Sequence, residues 1–310
     1  QVLRSLRKLV QQNWRRLKAE LQAYATLRGR TDIRLSSFLA EQAIELDDLY
    51  RSSGRSGWTN LKRDAGLLNT PAGSEDDYFG RRFGDLLHID DPARTDLLCS
   101  LREPDVVYRM LGERERSLLQ MLAYQLDAQQ HQKGCGEDFL QRLQQHPEHA
   151  AELAELGGVL QARSSLRFQA VPGLEDVPLS LHAAYGIREI LTALGWLSPS
   201  RRTPFQAGVL ALHERRVELL FVTLDKREGY HERIAYRDYA ISPELFHWQS
   251  QNSAGPETPA GRRYLESLGN GWGFQLFVRM AKGAPYRVCG PVTLERAEGS
   301  KPMSIHWRLG

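Results

Sequence analysis

The chain has 310 residues, of which 25% are charged and 41% hydrophobic, and its formal net charge is +3 at pH 7. This length favours two or three domains, the composition is that of a globular protein, and no apolar stretch approaches the length of a membrane span. The cysteines Cys99, Cys135 and Cys289 stand far apart without a CxxC spacing. This argues against a zinc site or a disulfide framework and predicts reduced thiols in the cytoplasm.

The first 30 residues predict one long amphipathic, coiled-coil-like helix, because apolar residues recur there at steps of three or four. The stretch holds eight basic residues against one acidic residue and does not read as a signal sequence. Three interpretations stay open: a coiled coil with a second chain, packing on a preceding domain, or contact with DNA; helix packing is the simplest. We interpret the chain as the C-terminal part of a longer protein, with a processed start as the alternative.

Two further helical segments follow. Residues 31–70 predict a helical connector with a Gly-rich turn, and residues 71–165 predict a helical bundle. Residues 71–160 hold 17 acidic and 9 basic side chains, so we expect this surface to face protein or solvent rather than DNA. His146 and His149 flank Pro147, and we expect both to face solvent rather than to bind a metal.

From residue 166 the pattern changes to short strands. We expect a helix over residues 182–194, a hairpin around residues 213–216, a buried strand at 275–279, and strands at 286–289, 292–296 and 304–309, with Gly290 and Pro291 in a turn. The chain therefore predicts an α+β fold, an all-helical N-terminal region followed by a curved β-sheet or partial barrel over residues 166–310.

Aromatic and polar side chains concentrate between residues 236 and 252. Rings offer faces on which a base can stack, and carboxylate, amide and hydroxyl groups can read its edge. The segment lacks a nucleophile, a metal-ligand set and a phosphate-binding loop, so we expect a non-catalytic chain without a cofactor. The residues assigned to base binding are Tyr236, Asp238, Tyr239, Ser242, Trp248, Gln249, Ser250 and Gln251.

Strand alternation places Tyr236 and Asp238 on one face, where Asp238 can accept from the N4 amine of cytosine, and turns Tyr239 toward the core. Alternatives stay open for each group. Trp248 and Phe246 can belong to the core, the polar set 249–252 can stabilise a turn, and Asp238 can pair with Arg237 or Arg279.

Basic residues near this segment are candidates for phosphate contacts. They are Lys226, Arg227, Arg262, Arg263 and Lys282. Residues 253–261, rich in Pro and Gly, are typical of a mobile loop that closes over DNA. Residues 201–310 hold 16 basic and 11 acidic side chains, a modest excess that suits a phosphate backbone or an ordinary solvated surface.

Several strings in the C-terminal half resemble one family. They are residues 177–179, 185–190, 221–226, 236–243, 246–252, Gly261 with Tyr264, 276–279 and 301–305. The family is a domain of unknown function at the C-terminus of bacterial superfamily-two helicases, which often carry a phospholipase-D-like nuclease at the N-terminus. The string HWQSQN at residues 247–252 is its most specific part.

Several proteins of this family look like type IV restriction enzymes, which cut DNA that carries modified cytosine. The resemblance implies an SRA-like or PUA-like domain that binds double-stranded DNA with 5-methylcytosine or 5-hydroxymethylcytosine by base flipping, in bacterial defence. The other partners of this domain would be the helicase and nuclease domains of the same parent chain. We expect no membrane partner. The alternative is a dimerisation scaffold, a homodimer that couples the helicase motor to its nuclease.

Overall fold

The computed structural model describes residues 14–51, 55–126, 136–198, 201, 208–225, 238–267 and 269–310. The chain divides into two compact units, Gln1–Ser165 and Leu166–Gly310. Within the described residues the first unit is helical and the second holds all the strands. This confirms the predicted α+β fold with an all-helical N-terminal region. No helix among the described residues is both long enough and apolar enough to cross a membrane.

The described part of the first unit contains nine α-helices. They are α1 (Trp14–Arg28), α2 (Leu35–Gln42), α3 (Leu46–Tyr50), α4 (Trp58–Asp64), α5 (Asp76–Arg82), α6 (Pro92–Ser100), α7 (Glu113–Leu126), α8 (Gly136–Gln144) and α9 (Pro147–Arg163). The apolar face of α1 is buried at Leu17 and Leu21, and its Tyr24 ring lies 5.9 Å from Phe38 on α2. From Trp14 onward this face therefore packs inside the first unit, while residues 1–13 of the predicted helix lie outside the described residues.

His149 on α9 lies in a buried polar network. It is 1% exposed, with Nε2 2.9 Å from Asp76 Oδ1 and Nδ1 3.4 Å from Glu152 Oε2. The expectation that His149 faces solvent is wrong, because carboxylates on α5 and α9 satisfy both ring nitrogens and make its burial tolerable.

The second unit is built on one curled mixed sheet that forms half a barrel. Its strands are β1 (Ala184–Tyr185), β2 (Val209–Leu212), β3 (Val217–Asp225), β4 (Tyr239–Ala240), β5 (Leu245–Gln249), β6 (Gly273–Ala281), β7 (Tyr286–Gly299) and β8 (Met303–Leu309). The order is β2-β3-β6-β7-β8-β5-β4, and β1 pairs with β7. Only the β3–β6 pair is parallel among the described strands, and β2 and β3 form the predicted hairpin.

Strand β7 is continuous where the sequence predicts a turn. Leu276 pairs with Gly290 and Phe277 with Val288, so the pairing of β6 with β7 skips Cys289. This extra residue forms a β-bulge, which bends a strand without ending it. Gly290 has a φ of +92°, a backbone conformation that residues with a side chain rarely adopt, so this position favours glycine. The predicted turn at residues 290–291 is therefore wrong.

The described part of the second unit also contains two short helices, α10 (Ile187–Ala193) and α11 (Pro259–Leu265). Helix α11 begins inside the segment that we expected to be a mobile loop. Thr258 caps it by accepting a hydrogen bond from the Gly261 backbone N at 3.0 Å, and Pro259 occupies its first turn.

Candidate nucleic-acid interface

Strands β4, β5 and β8 form one end of the described sheet and carry three of the eight predicted base-binding residues, Tyr239, Trp248 and Gln249. Antiparallel pairing aligns Tyr239 with His247 and His247 with His306. Because side chains alternate across a strand, Phe246 and Trp248 point to one face of β5 while His247 and Gln249 point to the other. The two faces have different surroundings.

Trp248 belongs to the hydrophobic core. Its side chain is 4% exposed, and its ring lies 5.4 Å from Tyr264 and 6.3 Å from Trp307. Phe246 is also 4% exposed and lies in the same core. The assignment of Trp248 to base stacking is therefore corrected to its alternative, a core residue, since no face of the indole is open to a base.

The opposite face carries three aligned rings, Tyr239, His247 and His306, which we call the ring row. The Tyr239 ring stacks on His247 at 4.6 Å with an interplanar angle of 17°, and His306 meets His247 edge-on at 5.4 Å. His247 is 6% exposed and its Nε2 lies 2.6 Å from Ser304 Oγ. Tyr239 is 50% exposed. Its predicted orientation toward the core is wrong, because β4 is the last strand of the described sheet and no described layer covers it there.

Asp238 and Gln249 close the end of this strand pair. Asp238 Oδ1 accepts a hydrogen bond from the backbone N of Gln249 at 2.9 Å, and both residues are partly buried. Asp238 therefore lies next to the ring row, and its carboxylate holds the start of β4 against Gln249 at the end of β5. Arg279, an expected alternative partner of Asp238, instead donates to Thr223 Oγ1 at 2.8 Å. Tyr236 lies outside the described residues.

Ser250 and Ser242 stabilise turns. Ser250 is fully buried, accepts from the Met303 backbone N at 2.8 Å and donates to the Ala254 carbonyl at 3.3 Å. Ser242 is exposed, and its Oγ accepts from the Glu244 backbone N at 3.2 Å. Gln251 is partly buried, and its carbonyl accepts from the Ala254 backbone N at 2.8 Å. These contacts match the turn-stabilising alternative for the polar set.

The predicted phosphate-binding residues have different environments. Arg263 Nε lies 2.9 Å from Oε2 of Glu218, a carboxylate on β3 that is 1% exposed. Tyr264 donates to Oε1 of the same carboxylate at 2.8 Å. Burial and then the Glu218 charge raise the pKa of the Tyr264 hydroxyl. Arg263 is therefore held in a structural ion pair and is not a free phosphate ligand.

The other basic side chains predicted to contact phosphate differ in exposure. Arg262 is exposed on α11 and Lys282 is exposed in the turn between β6 and β7. Neither has an ion pair with another described residue. Lys226 and Arg227 lie outside the described residues. Among the described residues, no group of His, Cys, Asp and Glu is arranged to hold a metal ion.

Two members of the ring row, His247 and His306, were missed by the sequence analysis. The signal was present, because each histidine precedes a core tryptophan, Trp248 or Trp307, and strand alternation then sends it to the opposite face. Their alignment across β5 and β8 depends on the pairing register, which one-dimensional periodicity does not give.

Residues 179–309 match the family model described as "Domain of unknown function (DUF3427)". The match covers most of the second unit and includes every described member of the ring row. No curated protein matches the chain. The C-terminal unit is thus similar to a domain family of unknown function, and a link to helicases and restriction stays a prediction.

Proposed function

We propose that the second unit binds double-stranded DNA and reads a modified cytosine, 5-methylcytosine or 5-hydroxymethylcytosine, in a cytoplasmic bacterial restriction system. In this proposal the chain itself carries no catalytic group or cofactor and acts as the reader for a helicase and a nuclease in the same parent protein. The observation that carries the proposal is the ring row, where a half-exposed Tyr239 on β4, the last strand of the described sheet, stacks on His247.

An exposed, supported aromatic ring suits stacking of a base. His247 covers one face of the Tyr239 ring and fixes its orientation, so a second ring can stack with little loss of side-chain freedom. Stacking on an aromatic side chain contributes about 1–3 kcal/mol per base. Extruding a base from a duplex costs a few kcal/mol, so one such contact offsets part of that cost.

The charge of the region supports the same proposal. Residues 201–310 carry 16 basic and 11 acidic side chains, and Arg262 and Lys282 are exposed. Each phosphate contact releases counterions, so binding through such residues weakens as salt rises. The scaffold alternative rests on the helix predicted over residues 1–30, in which Leu17 and Leu21 are buried and residues 1–13 lie outside the described part of the chain.

The test is binding of the 310-residue chain to a labelled duplex, followed by fluorescence anisotropy over a range of salt concentrations. We expect affinity to fall steeply with salt, and Tyr239→Ala to weaken binding roughly 5- to 150-fold through the lost stacking energy. Ile241→Ala is the matched control, because Ile241 is 44% exposed beside the same edge strand but offers no ring. Equal effects of the two substitutions, or no binding by the wild type, would contradict the proposal.

A further inference from the structure

The second unit contains a cavity of about 300 Å³ away from the ring row, which we call the Trp272 cavity. Its walls come from the starts of β3 and β6, the middle of β7 and a loop of the same unit. The lining residues used below are Pro172, Ser267, Trp272, Gln275 and Thr293. Its size lies at the lower end of small-molecule sites, which suits a single ring system rather than a dinucleotide.

The Trp272 indole forms a flat wall that its neighbours hold in place. The Arg263 guanidinium lies 5.0 Å from the ring centroid, and His213 meets the ring edge-on at 5.4 Å. The Trp272 backbone N donates to Asn270 Oδ1 at 2.9 Å, and Asn270 Nδ2 donates to the Arg263 carbonyl at 3.1 Å. A fixed aromatic wall is suited to stacking with a planar ligand.

Two buried polar atoms of the cavity residues have no hydrogen-bond partner among the described residues. They are Gln275 Oε1 and Ser267 Oγ. Gln275 is 2% exposed, and its Nε2 donates to the Pro172 carbonyl at 2.7 Å, which orients the amide and leaves Oε1 as an unused acceptor. A buried polar atom without a partner costs free energy, so a ligand that supplies a donor to Gln275 Oε1 would gain affinity there.

We propose that the Trp272 cavity binds a planar heterocycle with an exocyclic amine, as in cytosine and adenine. The ring stacks on Trp272, and the amine donates to Gln275 Oε1. Uracil presents a carbonyl where cytosine presents its amine, which would set two acceptors against each other. Oε1 is shielded from solvent, so binding includes a small movement of the Gln275 side chain. The ring can come from a free nucleoside or from a base extruded from DNA; only the second source rests on the proposed function.

The experiment titrates the 310-residue chain with cytidine, adenosine and uridine and follows binding by ligand-observed NMR. We expect cytidine and adenosine to bind about tenfold more tightly than uridine, the effect of one satisfied buried acceptor. Gln275→Met keeps the side-chain length and removes the acceptor, so it should abolish the preference. Trp272→Ala should weaken all three nucleosides. Trp196→Ala should change nothing, since that indole packs under Arg201 at 4.2 Å outside the cavity.

A second variant keeps the test valid if a buried substitution prevents folding. Thr293 is exposed and lines the cavity, so Thr293→Trp should block the opening without disturbing the core. It should abolish nucleoside binding while the circular dichroism spectrum stays that of the wild type. Equal affinity for cytidine and uridine, or cytidine binding that survives Thr293→Trp, would overturn the proposal.

The DNA arm separates the two sources and the two proposals. It compares the wild type with Gln275→Met on duplexes that carry an extrudable, mismatched cytosine or uracil. Loss of cytosine preference in the variant supports an extruded base as the ligand. Nucleoside binding without DNA binding leaves the cavity proposal standing and contradicts the proposed function. DNA binding without any nucleoside binding, and without an effect of the cavity variants, leaves the proposed function standing and contradicts the cavity proposal.

Discussion

Removing Glu152 should destabilise the first unit more than any surface change, because this buried carboxylate on α9 joins three elements. One oxygen accepts from the Trp58 backbone N at 2.7 Å and from the Tyr50 hydroxyl at 2.9 Å. The other accepts from the Thr59 backbone N at 3.0 Å and lies 3.4 Å from His149 Nδ1. Glu152 thus pairs the first N–H groups of α4, which no residue within that helix can satisfy.

The cost of Glu152→Ala follows from the groups left behind. Each buried donor without a partner costs about 1–3 kcal/mol, and removing one member of a buried charged pair costs about 3–5 kcal/mol. We expect a total loss near the second range rather than the sum of the donors, because water can enter the space that the side chain leaves. This is a large share of a typical domain stability of about 5–15 kcal/mol. Glu152→Gln keeps one acceptor oxygen but turns an NH2 group toward the other donors, so it should cost about 1–3 kcal/mol.

The assay is urea unfolding followed by far-ultraviolet circular dichroism, which reports mainly on the helices of the first unit, combined with hydrogen exchange of the α4 amides. Glu103→Ala is the control, because Glu103 is exposed in a loop and should change stability by less than about 0.5 kcal/mol. The amides of Trp58 and Thr59 should lose protection only in the Glu152 variants. A Glu152→Ala variant as stable as Glu103→Ala would refute the reasoning.

Three further predictions concern packing and pH. Burial lowers the pKa of His149, but the hydrogen bonds and charges of Glu152 and Asp76 outweigh it, so the pKa is raised. The stability that protonated His149 contributes is complete below its ordinary pKa and is lost as pH rises through the raised value; urea titrations should show this alkaline decline in the wild type and not in His149→Gln. Gly57→Ala should cost more than Gly66→Ala in thermal melts, although φ is positive at both (+99° and +77°), because only at Gly57 does a Cβ meet a neighbour, Gly80 Cα at 2.6 Å. Ser250→Ala should cost about 1–3 kcal/mol by leaving the Met303 backbone N unpaired, whereas Ser253→Ala, at an exposed turn position, should leave unfolding unchanged.

Much of the fold follows from periodicity, and the errors have identifiable causes. The helical first half, the hairpin of β2 and β3 and the buried strand β6 are visible as runs of apolar residues with the appropriate spacing. The sequence predicts a turn at Gly290 and Pro291, because these residue types are common in turns. In the structure, the positive φ of Gly290 instead allows β7 to continue with a bulge. Local sequence cannot distinguish a bulge from a turn when the partner strand is unknown.

The arrangement of the residues assigned to base binding depends on strand pairing that the sequence does not show. Placing Tyr239 required knowing that β4 is an edge strand, and placing Trp248 required the alternation of β5 against β8. The burial of His149 was not predicted, because it depends on Asp76, which is remote in sequence. The Trp272 cavity was not predicted either, because its walls come from segments of the second unit that are far apart in sequence.

The most direct measurement of the central claim is a competition between matched duplexes, unmodified and carrying 5-methylcytosine, for the 310-residue chain at near-physiological salt. The account predicts a preference for the methylated duplex of roughly 5- to 150-fold, the range of discrimination from burying one methyl-sized group. It also predicts that Tyr239→Ala weakens binding to both duplexes while Ile241→Ala does not. Equal binding of the two duplexes would contradict modified-base reading and leave a general DNA-binding unit, and binding to neither would contradict the account as a whole.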